Sequence, residues 1–134
     1  MSRKQKFKYI DLFAGIGGFH IAMSNLGGEC VLASEIDKYA IETYFENYGI
    51  SSDNDVTKIN PEDIEPYDVL CAGFPCQAFS KAGAQKGFED TTRGTLFFEI
   101  ARILKTSQPK FVILENVRNL VGHDKGNTYK VIVE

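Results

Sequence analysis

The chain has 134 residues, 43% hydrophobic and 25% charged, which suits one globular domain with a real core. No stretch approaches the roughly 20 apolar residues of a membrane span, and the basic opening MSRKQKFKY lacks an apolar signal region, so we expect a cytoplasmic location. A formal net charge of -3 disfavours a freestanding nucleic-acid binder, and three cysteines without C-x-x-C spacing predict neither a disulfide framework nor a metal site.

Short apolar runs alternate with amphipathic runs along the chain. Strands are predicted at 8–13, 30–34, 69–73 and 111–114, and helices at 17–26, 38–48 and near 95–105. This alternation indicates an α/β fold with a parallel sheet and helices on both faces. Residues 77–94 show no clear periodicity, which is typical of a functional or mobile loop.

A glycine-rich turn, DLFAGIGGFHIA, follows the first predicted strand. Gly15, Gly17 and Gly18 fit a tight strand-to-helix turn whose backbone can approach a ligand closely. The dinucleotide fingerprint fails because His20 occupies its third glycine position. Glu35, twenty residues after Gly15 and at the end of the second strand, is placed to accept hydrogen bonds from ribose hydroxyls. These features predict a nucleoside pocket for NAD or S-adenosylmethionine; the alternative is glycines that only pack a helix and a solvated Glu35.

Asp55 has two interpretations. It could be a carboxylate on a third strand near an adenine amino group, or an Asp that favours a turn or caps a helix. The D-x-D at 53 and 55 lacks the rest of a calcium-loop pattern, so no metal is predicted there.

Cys76 and Glu115 are the candidate reactive groups. Cys76 comes three residues after Gly73, just past the carboxyl end of a strand, where open parallel sheets place reactive groups. Cys30 and Cys71 lie within apolar runs and are predicted to be core residues. Glu115 follows the apolar run FVIL, and a partly desolvated carboxyl group there would favour its protonated form; the alternative is an ordinary helix-start carboxylate. Their two strands are expected to end at the same edge of the sheet.

Six runs in this order resemble the amino-terminal part of the cytosine-C5 DNA methyltransferases, a family that also has a tRNA-methylating branch. They are DLFAGIGGF at 11–19, SEID at 34–37, NDVTKI at 54–59, GFPCQAFS at 73–80, GFEDTTRGTLFFEIARI at 87–103 and ENV at 115–117. The resemblance covers nearly the whole chain, and the Pro-Cys and Glu-Asn-Val motifs together are highly specific. An NAD-linked oxidoreductase is disfavoured by their joint presence.

The resemblance implies a Rossmann-like S-adenosylmethionine-dependent methyltransferase fold with an incomplete sheet. It also implies methyl transfer to C5 of a cytosine flipped out of double-stranded DNA, with Cys76 attacking C6 and Glu115 holding or protonating N3. By the same resemblance the methionine side of the cofactor would be shaped by Phe13, Gly15, Ile16 and Gly18. Glu35 would bind its ribose, Ile36 would stack weakly on its adenine, and Asp55 and Val56 would contact that adenine. Pro75 would position the thiol, Asn116 would support Glu115, and Ser80 and Arg93 would contact phosphate.

The matching motifs belong to only part of that family's catalytic domain. Residues 1–134 are expected to form its amino-terminal part, which carries the cofactor and nucleophile half without the target-recognition region. The predicted strand at 111–114 would then be an unpaired edge. We therefore expect an incomplete methyltransferase, either one subunit of a split enzyme or a shortened chain, that requires a partner chain or the missing carboxy-terminal part. The alternatives are a non-catalytic S-adenosylmethionine-binding or regulatory fragment, or tRNA cytosine-C5 methylation.

Overall fold

Four apolar runs form the strands of one sheet. In the computed structural model, which describes residues 6–73 and 93–116, they are β1 (Phe7–Leu12), β2 (Gly28–Ala33), β3 (Val69–Gly73) and β4 (Phe111–Glu115). The strands lie in the order β2-β1-β3-β4, and every neighbouring pair is parallel. The predicted parallel sheet is therefore confirmed, with the strand that leads into the glycine turn at its centre.

Three helices connect the strands: α1 (Gly18–Asn25), α2 (Lys38–Tyr48) and α3 (Arg93–Ser107). Both bounds of α2 match the prediction because both carry local signals. The Asp37 carboxylate accepts a hydrogen bond from the Ala40 N–H at 2.8 Å, and Gly49 ends the helix with a φ of 70°. The other helices differ from the predicted bounds by one or two residues at each end.

Helices cover both faces of the sheet, as predicted. Alternate residues of a strand point to opposite faces, and the apolar residues of β1 and β3 are therefore divided between two clusters. One cluster packs under α3 and contains Ile10, Leu12, Leu70, Ala72, Phe97, Ile100 and Ile103. The other packs against α1 and contains Tyr9, Met23, Val69 and Cys71. The two central strands are thereby buried on both faces.

A strand at Asp55 was one expectation of the sequence, and it is wrong. Residues 56–58 form a short 3₁₀ helix that Asp55 caps, and the chain from 53 to 54 makes only isolated bridges with Glu35. The cap wins because the Asp55 carboxylate bonds both the N–H and the hydroxyl of Thr57, at 2.9 and 2.7 Å. In the described residues β2 is consequently the strand at one edge of the sheet.

β4 lies at the other edge of the described sheet, as predicted. Three of its four apolar side chains are exposed, from 66% for Phe111 to 38% for Ile113, while Leu114 is partly buried against the core. A long apolar edge is a template for pairing with another strand. In residues 6–73 and 93–116, no helix is long and apolar enough to cross a membrane.

Candidate functional site

The glycine turn joins the end of β1 to the start of α1. Phe13, Gly15 and Gly17 all have positive φ angles, of 54°, 58° and 99°. The Ala14 N–H bonds the Ser34 carbonyl at 2.8 Å, and the Gly17 N–H bonds the Ala14 carbonyl at 3.0 Å. A side chain added at Gly15 would meet no atom within 4 Å, so the surface above this residue is open to a ligand.

Gly17 has a different reason to be glycine from the one the sequence suggested. A methyl group added there would overlap the ring of Tyr48, and a φ of 99° is strained for any other residue. The close approach at Gly17 is therefore made by α2 rather than by a ligand. Gly18, the first residue of α1, has open space beside it.

Glu35 is held in place by three backbone N–H groups. Its Oε1 accepts from Gly15 at 2.8 Å, and its Oε2 accepts from Ile36 and Asp37, each at 2.9 Å. A carboxylate offers about four acceptor positions, so this arrangement leaves about one for a further donor. Of the two interpretations of Glu35, a merely solvated strand end is the poorer one, because the side chain ties the end of β2 to the glycine turn.

A cavity of about 200 Å³ opens between these elements. Its walls are Phe13, Ser34, Glu35, Ile36, Asn54, Asp55, Val56, Gly73 and Leu96. Five of the eight residues predicted to bind a cofactor are among them, and a sixth, Gly15, bonds Glu35. Ile16 and Gly18 do not line it, and the Ile16 side chain is exposed on the turn. Ile36 is also largely exposed, as an apolar side chain at the mouth of a binding cavity can be.

Asn54 is a wall residue that the sequence analysis did not single out. Its side-chain amide donates to the Ala33 carbonyl at 2.9 Å, and its own carbonyl accepts from the Glu35 N–H at 3.1 Å. These bonds hold the segment that carries Asp55 and Val56 against the end of β2. The only sequence signal was its place beside Asp55 in NDVTKI. Thr57 lowers the pKa of Asp55 by hydrogen bonding, so this wall of the cavity carries a negative charge.

β3 and β4 bring the two predicted reactive positions to the same edge of the sheet. Gly73 pairs in register with Glu115, and Oε2 of Glu115 would lie 3.0 Å from a methyl group added at Gly73. Asn116 follows, half-buried. The Glu115 side chain is exposed in the described part of the chain, and its predicted role as a proton donor stays a prediction.

Four of the predicted residues cannot be placed with the others. Pro75, Cys76 and Ser80 lie outside the described residues, two to seven positions beyond the end of β3. Arg93 is the first residue of α3, and its side chain is outside the described part of the chain. Their predicted roles therefore remain predictions.

The two described cysteines are poorly suited to nucleophilic chemistry. Burial raises the pKa of Cys71 to about 12, and burial also raises the pKa of the Cys30 thiol. The thiolate is the reactive form of cysteine, so neither group would be ionised near neutral pH. Cys71 is fully buried, as predicted, whereas Cys30 is only half-buried between two clusters.

Asp11 is a second residue that the sequence analysis missed. It is fully buried two positions before Phe13, and burial raises its pKa to about 7 despite a hydrogen bond from the Tyr44 hydroxyl. That bond, to Oδ2, is 3.2 Å long, while Oδ1 has no hydrogen-bond partner. The oxygen of Tyr44 also lies 2.7 Å from Nδ1 of His20. A buried acid thus lies directly beneath the glycine turn. Within the described ranges, no group of three or more His, Cys, Asp or Glu side chains could hold a metal ion.

Comparisons with known proteins place this site in context. The family model for C-5 cytosine-specific DNA methylase matches residues 7–134. The type II methyltransferase M.HhaI of Haemophilus parahaemolyticus is 55% identical over 125 residues, covering 93% of this chain and 38% of that protein. The type II methyltransferase M1.ScrFI of Lactococcus lactis subsp. cremoris is 56% identical over 129 residues, covering 96% of this chain and 33% of that protein.

The crystal structure of the S. pombe Dnmt2 methyltransferase has the same fold. It superposes with a TM-score of 0.72 at 23% identity and covers 96% of this chain and 41% of that protein. The predicted Rossmann-like methyltransferase fold is confirmed. The chain spans about two fifths or less of the length of these three relatives.

Proposed function

Because the chain belongs to the C-5 cytosine-specific DNA methylase family, we propose that it supplies the cofactor and nucleophile half of an enzyme that methylates C5 of cytosine in DNA. The single observation that carries this proposal is the family match over residues 7–134. Residues 1–134 would be the amino-terminal part of the catalytic domain, because relatives such as M.HhaI are more than twice as long. A partner chain or further sequence would then provide target recognition.

The residues of the cavity fit S-adenosylmethionine, whose bound sulfonium would supply an electrophilic methyl group. The remaining acceptor position on Glu35 suits a ribose hydroxyl. Asp55 uses one carboxylate oxygen on Thr57, so its other oxygen can accept from the adenine amino group. A cavity of about 200 Å³ is small for a complete ligand and suits the nucleoside half. The methionine half would extend over the open surface at Gly15 and Gly18.

Cys76 and Glu115 would carry out the chemistry on the base. The Cys76 thiolate would form a bond to C6 while Glu115 holds a proton at N3, which neutralises the charge that develops on the ring and makes C5 nucleophilic. After C5 is methylated, loss of its proton restores the C5–C6 double bond and expels the thiolate. The register pair Gly73–Glu115 supports this assignment, because β3 ends beside Glu115 and only two residues separate that end from Cys76 in the sequence.

Double-stranded DNA is the proposed substrate because relatives at 55–56% identity are named type II methyltransferases and the matched family is a DNA methylase. The net charge of -3 agrees with a basic DNA-reading surface on another chain or segment. The target base would be flipped out of the duplex to reach Cys76.

Transfer of a tritiated methyl group from S-adenosylmethionine tests the proposal. The chain would be assayed alone and with the carboxy-terminal two thirds of M.HhaI as a complementing partner, on duplex DNA and on tRNA. We expect label in DNA cytosine that depends on the partner and disappears in Cys76→Ser, while Cys30→Ser retains it. Label in tRNA alone would move the substrate to RNA, and cofactor binding without transfer under either condition would favour a non-catalytic fragment.

A further inference from the structure

Tyr48, the last residue of α2, contacts the backbone of the glycine turn directly. Its hydroxyl lies 3.1 Å from the Gly17 carbonyl oxygen and 3.2 Å from the Ile16 carbonyl oxygen, and it donates to them. Its ring occupies the space beside Gly17 that a side chain would need. Tyr48 therefore determines both which residue can stand at position 17 and where the two carbonyls point.

A chain of contacts anchors Tyr48 to the core. Its ring stacks on His20, with centroids 3.9 Å apart and planes inclined by 20°. His20 contacts the Tyr44 hydroxyl, which donates to Asp11. Tyr44 and Asp11 are fully buried. The packing of α1, α2 and β1 therefore determines the position of Tyr48.

The glycine turn needs such support. Two of its glycines have positive φ, and glycine loses more conformational freedom on folding than any other residue. No side chain caps the start of α1, where Gly17 is the capping residue. Glu35 holds the turn from one side through the Gly15 N–H, and Tyr48 holds it through the carbonyls of the next two residues.

We propose that Tyr48 is a positioning residue that fixes the glycine turn for the methionine half of the cofactor. This inference rests on the proposed function, in which that half lies over Gly15 and Gly18. Tyr48 touches no reacting atom. It acts by holding the backbone that the ligand meets, and preorganisation of this kind raises affinity by reducing the ordering required on binding. The nucleoside half would lie against Glu35 and Asp55, whose own hydrogen bonds do not involve Tyr48.

The test compares two ligands that differ in the methionine half. Binding of S-adenosylhomocysteine and of 5′-deoxy-5′-methylthioadenosine to the 134-residue chain would be measured by calorimetry for the wild type and Tyr48→Phe. This variant keeps the ring against Gly17 and His20 and removes only the hydroxyl. We expect S-adenosylhomocysteine to bind about 3- to 10-fold more weakly, the effect of one lost hydrogen bond, and methylthioadenosine to change less than about 2-fold.

Two further tyrosines on the same helix serve as controls. Tyr39 is largely exposed, so Tyr39→Phe should leave both affinities unchanged. Tyr44 is fully buried and bonds Asp11, so Tyr44→Phe should lower stability and affect both ligands alike. Equal weakening of both ligands in Tyr48→Phe, or no weakening of either, would overturn the positioning role.

Amide hydrogen exchange of the free chain separates this inference from the proposed function. Without the Tyr48 hydroxyl, the amides of Gly17 and Gly18 should exchange about 3- to 10-fold faster, because the turn opens more often. If the wild-type chain binds neither ligand, the proposed cofactor site fails. Faster exchange in Tyr48→Phe would then still support the positioning role, and unchanged exchange would overturn it.

Discussion

Replacing Asp11 by Asn should change the sign of its effect on stability between acidic and basic pH. Burial raises the pKa of Asp11 from 3.8 to about 7; repulsion from Glu35 adds to the rise, and the Tyr44 hydrogen bond opposes it. The folded state therefore binds a proton that the unfolded state has lost between about pH 4 and 7. The contribution of Asp11 to stability is fully present below pH 4 and is lost as pH rises to 7.

The size of this loss follows from the shift. About three pH units at about 1.4 kcal/mol each give on the order of 4 kcal/mol. Asparagine carries no charge, but its buried amide has two N–H donors where the protonated carboxyl has one O–H, and the additional unpaired donor would cost about 1–3 kcal/mol. Asp11→Asn should therefore be less stable than the wild type by about 1–3 kcal/mol at pH 4.5 and more stable by a similar amount at pH 8.5.

Urea unfolding followed by far-UV circular dichroism would measure both proteins at several pH values. Burial lowers the pKa of His20, and this group makes both proteins gain stability as pH rises toward 6.5. Subtracting the two free energies of unfolding removes this shared contribution and leaves the effect of Asp11. The exposed Glu46 on α2 provides the control: Glu46→Gln should stay within about 0.5 kcal/mol of the wild type throughout. A wild-type minus Asp11→Asn difference of the same sign and size at pH 4.5 and 8.5 would refute the assigned burial and charge of Asp11.

Three other substitutions test the cavity and the sheet. Glu35→Gln removes the charge that three N–H groups bond, so S-adenosylhomocysteine should bind about 10- to 100-fold more weakly by calorimetry; an unchanged affinity would contradict the role of Glu35. Arg102→Lys loses the guanidinium bonds to the Val56 and Ile59 carbonyls, at 3.1 and 2.8 Å, and should cost about 1–3 kcal/mol in urea unfolding, whereas a change below about 0.5 kcal/mol would mean that these bonds do not hold the 3₁₀ segment. Val112→Lys places a charge on the exposed edge strand and should reduce self-association in analytical ultracentrifugation while stability changes little; equal association of both proteins would exclude the β4 edge as the contact.

The sequence was most informative where a local signal marks an element. The Asp37 cap and Gly49 gave α2 both of its bounds. The alternation of strands and helices likewise predicted the parallel sheet and the shared edge of β3 and β4, since the crossover helices of parallel strands require this arrangement.

Features that depend on tertiary contacts could not be predicted. The sequence does not show whether Asp11 is buried or exposed. Its pKa is raised only because α1 and α2 pack over β1 and bury its carboxyl group. Gly17 looked like a ligand contact because the ring of Tyr48 is 31 residues away in sequence. The sequence around Asp55 was compatible with a strand or a helix cap, and the hydrogen bond from the Thr57 hydroxyl favours the cap. The exposure of Glu115 depends on what packs against β4.

Covalent trapping tests the central proposal, attack of Cys76 on a cytosine, most directly. The chain and a complementing carboxy-terminal part would be incubated with S-adenosylmethionine and duplex DNA that contains 5-fluorocytosine, in which fluorine replaces the proton whose loss releases the thiolate. We predict a stable protein–DNA adduct that requires S-adenosylmethionine, persists in Cys30→Ser and disappears in Cys76→Ser. No adduct with any partner, or an adduct that survives Cys76→Ser, would contradict the account.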